Sequence, residues 1–224
     1  MNFDFSPFHL SGVVYGTLMN DPEALADLGE QVNEAPYKAP PKAPVMYIKP
    51  RNTLAATGSA LCLPAGHQSL EIGACLGLVI GRTACRVPVG QALDYIAGYT
   101  IVNDVSLPHD SYYRPSIRFK ARDGFCPIGP RVIPASELNK PDELDVSVYI
   151  DDNLVQQSST AGRVRSVAQL LAYVTDFMTL QAGDILMLGA AARAPKAPAG
   201  SKVKIEIAGL GCLENTVVNE EELS

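Results

Sequence analysis

The chain has 224 residues, a formal net charge of -6, 47% hydrophobic and 19% charged residues, enough for one large soluble-type domain with a sizeable core. The acidic balance argues against nucleic acid as a partner, because a phosphate backbone demands surplus Lys and Arg, and no run of about 18 apolar residues exists to enter a membrane. Five scattered cysteines without a CxxC pair, and a first segment (MNFDFSPFHL) lacking a basic start and long apolar core, lead to an expected cytoplasmic chain with reduced thiols.

The first apolar run, GVVYGTLM (12–19), reads as a strand. Asp21 then supplies an N-cap and Pro22 a first helical residue, so a short helix is expected over 23–32. Residues 35–50 (APYKAPPKAPVMYIKP) hold five prolines, which bar a helix or a central strand from the first part of the segment. An extended surface connection is expected there, dividing a small segment 1–34 from a main body 35–218.

After it, LGLVIG (76–81) reads as a buried strand. Ala92, Leu93 and Ile96 share a face and predict a helix over 89–97, followed by a strand over 98–105. Residues 144–150 alternate, Asp151-Asp152-Asn153 turns, and 154–157 return, which is a hairpin. Val167, Leu170, Leu171, Val174, Phe177 and Met178 form one stripe and predict a helix over 166–179. Strands over 185–188 and 203–207 follow, then a loose acidic tail over 219–224. Many strands and few helices give a mostly β (α+β) fold, a sandwich or roll.

Five stretches occur together: LGLVIG (76–81), ALDYIAGYTIVNDVS (92–106), KARDGFCPIGP (120–130), LQAGDILMLG (180–189) and IAGLGCLENTVV (207–218). In order and spacing they resemble the fumarylacetoacetate hydrolase superfamily, over roughly residues 35 to 218. The fold implied is that family's carboxy-terminal-domain-like β-sandwich or roll. Within it, residues 35–54 and 111–129 are similar to the amino-terminal half of members that decarboxylate and isomerise an intermediate of 4-hydroxyphenylacetate breakdown. Those members carry two similar halves, fused or as separate subunits. The resemblance implies an acid such as 5-carboxymethyl-2-oxo-hex-3-ene-1,6-dioate, loss of CO2 with double-bond migration, and pairing in a homodimer or with a homologous subunit.

The resemblance also implies Mg²⁺ or Mn²⁺, which want hard oxygen ligands. Asp104 stands at the family's metal aspartate, but its two glutamate positions are Gly73 and Cys75. Glycine offers no ligand and a thiol is soft. Glu71 lies about 6.6 Å further along an extended chain, too far to stand in. Lys120 and Asp123 match the family's catalytic lysine and aspartate, while Ala190 replaces a substrate-facing threonine.

Arg114 is a natural carboxylate clamp, with Lys49 and Arg51 as further cations and Tyr112 and Tyr113 as pocket walls. His109 follows the Asp104 motif and is expected at the surface. Three readings stay open: an isomerase/decarboxylase subunit working with a metal-competent partner, a scaffold of the same fold, and a metal-independent lyase or isomerase using Lys120 and Arg114.

Overall fold

The structure is a computed structural model; it describes residues 5–35, 38–109 and 117–223. In chain order the elements are β1 (Val14–Leu18), α1 (Pro22–Ala26), β2 (Val45–Lys49), β3 (Leu54–Ala56), β4 (Ala60–Leu63), β5 (Leu70–Glu71), β6 (Ala74–Ile80) and β7 (Ile96–Asn103). Then come α2 (Ile117–Lys120), β8 (Cys126–Pro134), β9 (Asp145–Ile150), β10 (Asn153–Ser159), α3 (Val167–Phe177), β11 (Ile185–Met187), β12 (Lys196–Ala197), β13 (Lys202–Ile207) and β14 (Gly211–Asn219).

The strands form a seven-stranded sheet in the order β2-β1-β11-β6-β7-β8-β3 and a five-stranded sheet in the order β10-β9-β13-β14-β4. A two-stranded pair, β12-β5, lies beside them. Strand β6 is buried along its whole length, which explains its unbroken apolar run. Leu76 and Leu78 face the large core shared with Val146, Val148, Val203 and Ile205 of the smaller sheet. Cys75 and Val79 face a second core with Val14, Val102 and Met187. Burying both faces of the central strands fixes their register, since a one-residue slip would exchange the two cores.

Helix α3 lays Val167, Leu170, Leu171 and Val174 into the large core. Ser166 caps it, accepting from the Gln169 amide while the Gln169 side chain accepts from the Ser166 amide, a reciprocal capping box. The expected hairpin is β9-β10.

Three expectations shift. The helix expected over 23–32 is one α turn plus a separate 3-10 turn, Gly29–Asn33. The helix expected over 89–97 is a 3-10 segment, Val89–Tyr95, because Ile96 is drawn into β7 opposite Ile80, and Leu93 is left exposed. The tail winds into a 3-10 turn, Glu220–Leu223, and Glu220 accepts from the Ala65 amide.

The proline-rich connection ends in β2, an edge strand, as its prolines require. The boundary expected near residue 34 falls between β1 and β2, which are hydrogen-bonded neighbours in the seven-stranded sheet. Among the described residues no helix is long and apolar enough to cross a membrane.

Candidate active site

A cavity of about 460 Å³ opens between the end of β1, the loop 190–194 and the segment after β7. Glu71, Gly73, Asp104, His109, Lys120 and Lys196 bring its titratable groups and its tightest backbone together. The backbone that builds the floor is tied across long distances. The Asp104 amide donates to the Gly73 carbonyl (2.8 Å), Val105 to Phe125 (3.2 Å) and Leu107 to Phe119 (3.0 Å).

Asp104 is nearly buried and is surrounded by donors. Its Oδ1 lies 2.9 Å from Lys49 Nζ and its Oδ2 2.7 Å from Lys120 Nζ. The Tyr47 hydroxyl also donates to Oδ2. Burial alone would raise this carboxyl, but the pull of Lys120 and then Lys49 outweighs it and holds Asp104 well below the usual carboxylate range. Burial, then the Asp104 charge, pushes the Tyr47 hydroxyl well above its ordinary value.

Lys49 has no solvent exposure. Its Nζ donates to the carbonyls of Val105 (2.7 Å), Lys120 (2.8 Å) and Phe125 (2.8 Å). Burial pulls its pKa down, with Asp104 opposing. Three carbonyl acceptors nevertheless require three N–H donors, which only the ammonium has. Two ammoniums therefore share one carboxylate, and the buried cluster carries a net positive charge. Lys49 is enclosed, so that charge reaches the cavity through Lys120, which lines it.

His109 lines the cavity rather than standing apart on the surface. Its Nδ1 is 3.1 Å from the Leu107 carbonyl, and its ring stacks on Phe119 at 4.9 Å. A carbonyl only accepts, so Nδ1 carries a proton.

The other expected residues are distributed as follows. Asp123 is exposed and accepts from Asn52 Nδ2 (2.7 Å), bracing the turn before Gly124 and not lining the cavity. Arg51 is exposed beside Gly12, also away from the cavity. Tyr113 and Arg114, with Tyr112, lie outside the described residues. Ala190 lines the cavity at the position expected to carry a hydroxyl.

Tyr47 is a site residue that local pattern did not reveal. Its signal is Gly16, which faces it across the β1-β2 register and where a Cβ would fall inside the Tyr47 ring.

The family model for the fumarylacetoacetate (FAA) hydrolase C-terminal matches residues 13–218, a span that includes β1. The chain belongs to the fumarylacetoacetate hydrolase family.

It is 39% identical over 215 residues to the Escherichia coli 4-hydroxyphenylacetate degradation bifunctional isomerase/decarboxylase, covering 96% of this chain and 49% of that protein. The chain thus spans about half the length of this curated relative. Among solved structures, the 5-carboxymethyl-2-hydroxymuconate delta-isomerase of Mycobacterium smegmatis superposes with a TM-score of 0.80 at 27% identity, over 95% of this chain and 80% of that one. A fumarylpyruvate hydrolase from Pseudomonas aeruginosa, solved with Mn²⁺ and pyruvate, shares the fold at 24% identity and a TM-score of 0.77, over 93% and 89% of the two chains.

The residues present do not fit a divalent metal of the family kind. Among the described residues no group of three or more His, Cys, Asp or Glu side chains converges. Gly73 has no room for a ligand, because a Cβ there would meet the Asp104 carbonyl oxygen at 2.7 Å. Cys75 faces the second core, and burial raises its thiol far above the range in which thiolate forms. Both Asp104 oxygens already face ammoniums.

Proposed function

We propose that this chain is one subunit of a cytoplasmic isomerase/decarboxylase for unsaturated 2-oxo dicarboxylic and tricarboxylic acids of 4-hydroxyphenylacetate catabolism. In this reading the chain carries the double-bond isomerisation. The metal-dependent loss of CO2 belongs to a homologous subunit with complete metal carboxylates. The observation that carries this is the Lys49–Asp104–Lys120 cluster, whose net positive charge lies under the cavity where the family expectation has a cation.

The chemistry follows from charge and reach. A 2-hydroxy-2,4-dienedioate becomes a 2-oxo-3-ene acid by losing its hydroxyl proton and gaining one at the distal end of the diene, with no change of oxidation state. The negative charge that develops on the oxygen needs a fixed positive neighbour in a sheltered site, and Lys120 supplies it. In this reading His109, on the cavity wall, carries the hydroxyl proton to carbon. Asp104 fixes the Lys120 ammonium, and Lys49 offsets the Asp104 charge so that Lys120 keeps its own for the substrate.

The test is to supply 5-carboxymethyl-2-hydroxymuconate to the purified chain in EDTA, following dienol absorbance and CO2 separately. Loss of the dienol without CO2, with CO2 released only when a metal-competent homologous subunit and Mg²⁺ are added, is the expected result. A second reading is a scaffold subunit, favoured by Gly73, Cys75 and Ala190. It replaces the first if the chain alone changes neither signal and the competent subunit gains activity on mixing.

A further inference from the structure

Two lysines and one arginine line the cavity in the described residues, and two of the three stand against carboxylates. Lys120 faces Asp104 at 2.7 Å. Arg193 faces Asp27 at 2.6 Å and Glu23 at 3.3 Å on the outer side. The third is Lys196, which has no ion pair among the described residues. It is held in place by backbone alone: β12 pairs with β5, Lys196 standing opposite Glu71, and the Ile72 amide donates to the Pro195 carbonyl (2.9 Å). Ala197, its neighbour on the strand, is buried and anchors that strand in the core. Glu71 has a partner of its own.

We infer that Lys196 is a specificity-determining residue that binds the second carboxylate of the substrate and makes the cavity selective for dicarboxylic over monocarboxylic 2-oxo acids. The inference rests on the functional reading above and names the part of the acid it left unassigned. Lys120 takes the 2-oxo acid end, where charge develops. Lys196, carried by β12 where Lys120 is carried by α2, takes the far end. An ammonium on a flexible stem at an exposed position suits an end group whose reach varies between substrates.

The experiment is calorimetric titration of oxaloacetate and of pyruvate, in EDTA, into the wild-type chain and the Lys196→Met and Lys196→Arg variants, with thermal unfolding as a folding check. The wild type should prefer oxaloacetate. Lys196→Met should cut that preference about tenfold, the size of one charge-assisted contact, and Lys196→Arg should restore most of it. A preference unchanged in Lys196→Met overturns this inference and leaves the functional reading standing. Failure of the wild type to bind either acid overturns the functional reading itself and the inference with it. An equal loss for both acids in a folded Lys196→Met chain also overturns the inference, because it makes Lys196 a general anion contact.

Discussion

Lys49 Nζ stands 2.9 Å from Asp104 Oδ1, and the lysine has no exposure to solvent. A buried ammonium persists only when its donors and its charge are both matched. Here the match comes from three carbonyls contributed by chain 56, 71 and 76 residues away. Lys49 therefore fastens β2 to the segments that carry Asp104 and Lys120.

Replacing Lys49 by Met should consequently unfold the site. Three carbonyls lose their donor and the Asp104 carboxylate loses one of its two ion-pair partners, which costs on the order of 3–5 kcal/mol. Urea unfolding of Lys49→Met, compared with Lys120→Met, measures it. The second variant should lose clearly less stability, because it leaves Lys49 on Asp104.

Restoring the family carboxylates should not restore a metal. A Gly73→Glu, Cys75→Glu double variant drives a side chain into the Asp104 backbone and a charge into the second core. We expect a destabilised chain, by more than about 3 kcal/mol given the overpacking and the buried charge, and no Mn²⁺ uptake by calorimetry.

Acid should act through Asp104. Its folded-state pKa is depressed, so its stabilising contribution is complete above the ordinary carboxylate range and is lost as pH falls below about 4. Asp104→Asn should be much less stable than wild type at pH 7. The gap in urea midpoint should narrow steadily as pH drops toward 2.

The thiols should divide by burial. Cys85 is exposed and Cys62 and Cys212 are partly so, whereas Cys75 and Cys126 are buried. Burial pushes the Cys126 thiol up to about 12, with Lys49 opposing. A chromogenic disulfide reagent should modify three thiols in the folded chain, Cys85 first, and reach Cys75 and Cys126 only on unfolding.

Much of the frame was legible in the sequence. The α3 stripe, the β9-β10 hairpin and the doubly buried β6 are written in local periodicity, and Asp104 and Lys120 in motif. What local pattern lacked was pairing across distance. Lys49 read as a substrate cation because nothing near it in the chain announces the three carbonyls that enclose it. Tyr47 was missed because its contact depends on an edge strand closing onto β1 over Gly16. Lys196 carried no motif, and only the short β5-β12 pair sets it on the cavity wall. Asp123 and Arg51 sat in the right segments but on turns that face outward.

In the proposed function an ammonium pair, and no divalent cation, gives this cavity its affinity for a 2-oxo acid. Its most direct measurement is calorimetric titration of oxaloacetate into the chain in EDTA and again in excess Mn²⁺, with Lys120→Met beside the wild type. The expected result is the same affinity in both buffers and a loss of tenfold or more, about 1.4 kcal/mol, in Lys120→Met. Binding that appears only with Mn²⁺, or micromolar Mn²⁺ uptake abolished by Asp104→Ala, would contradict it.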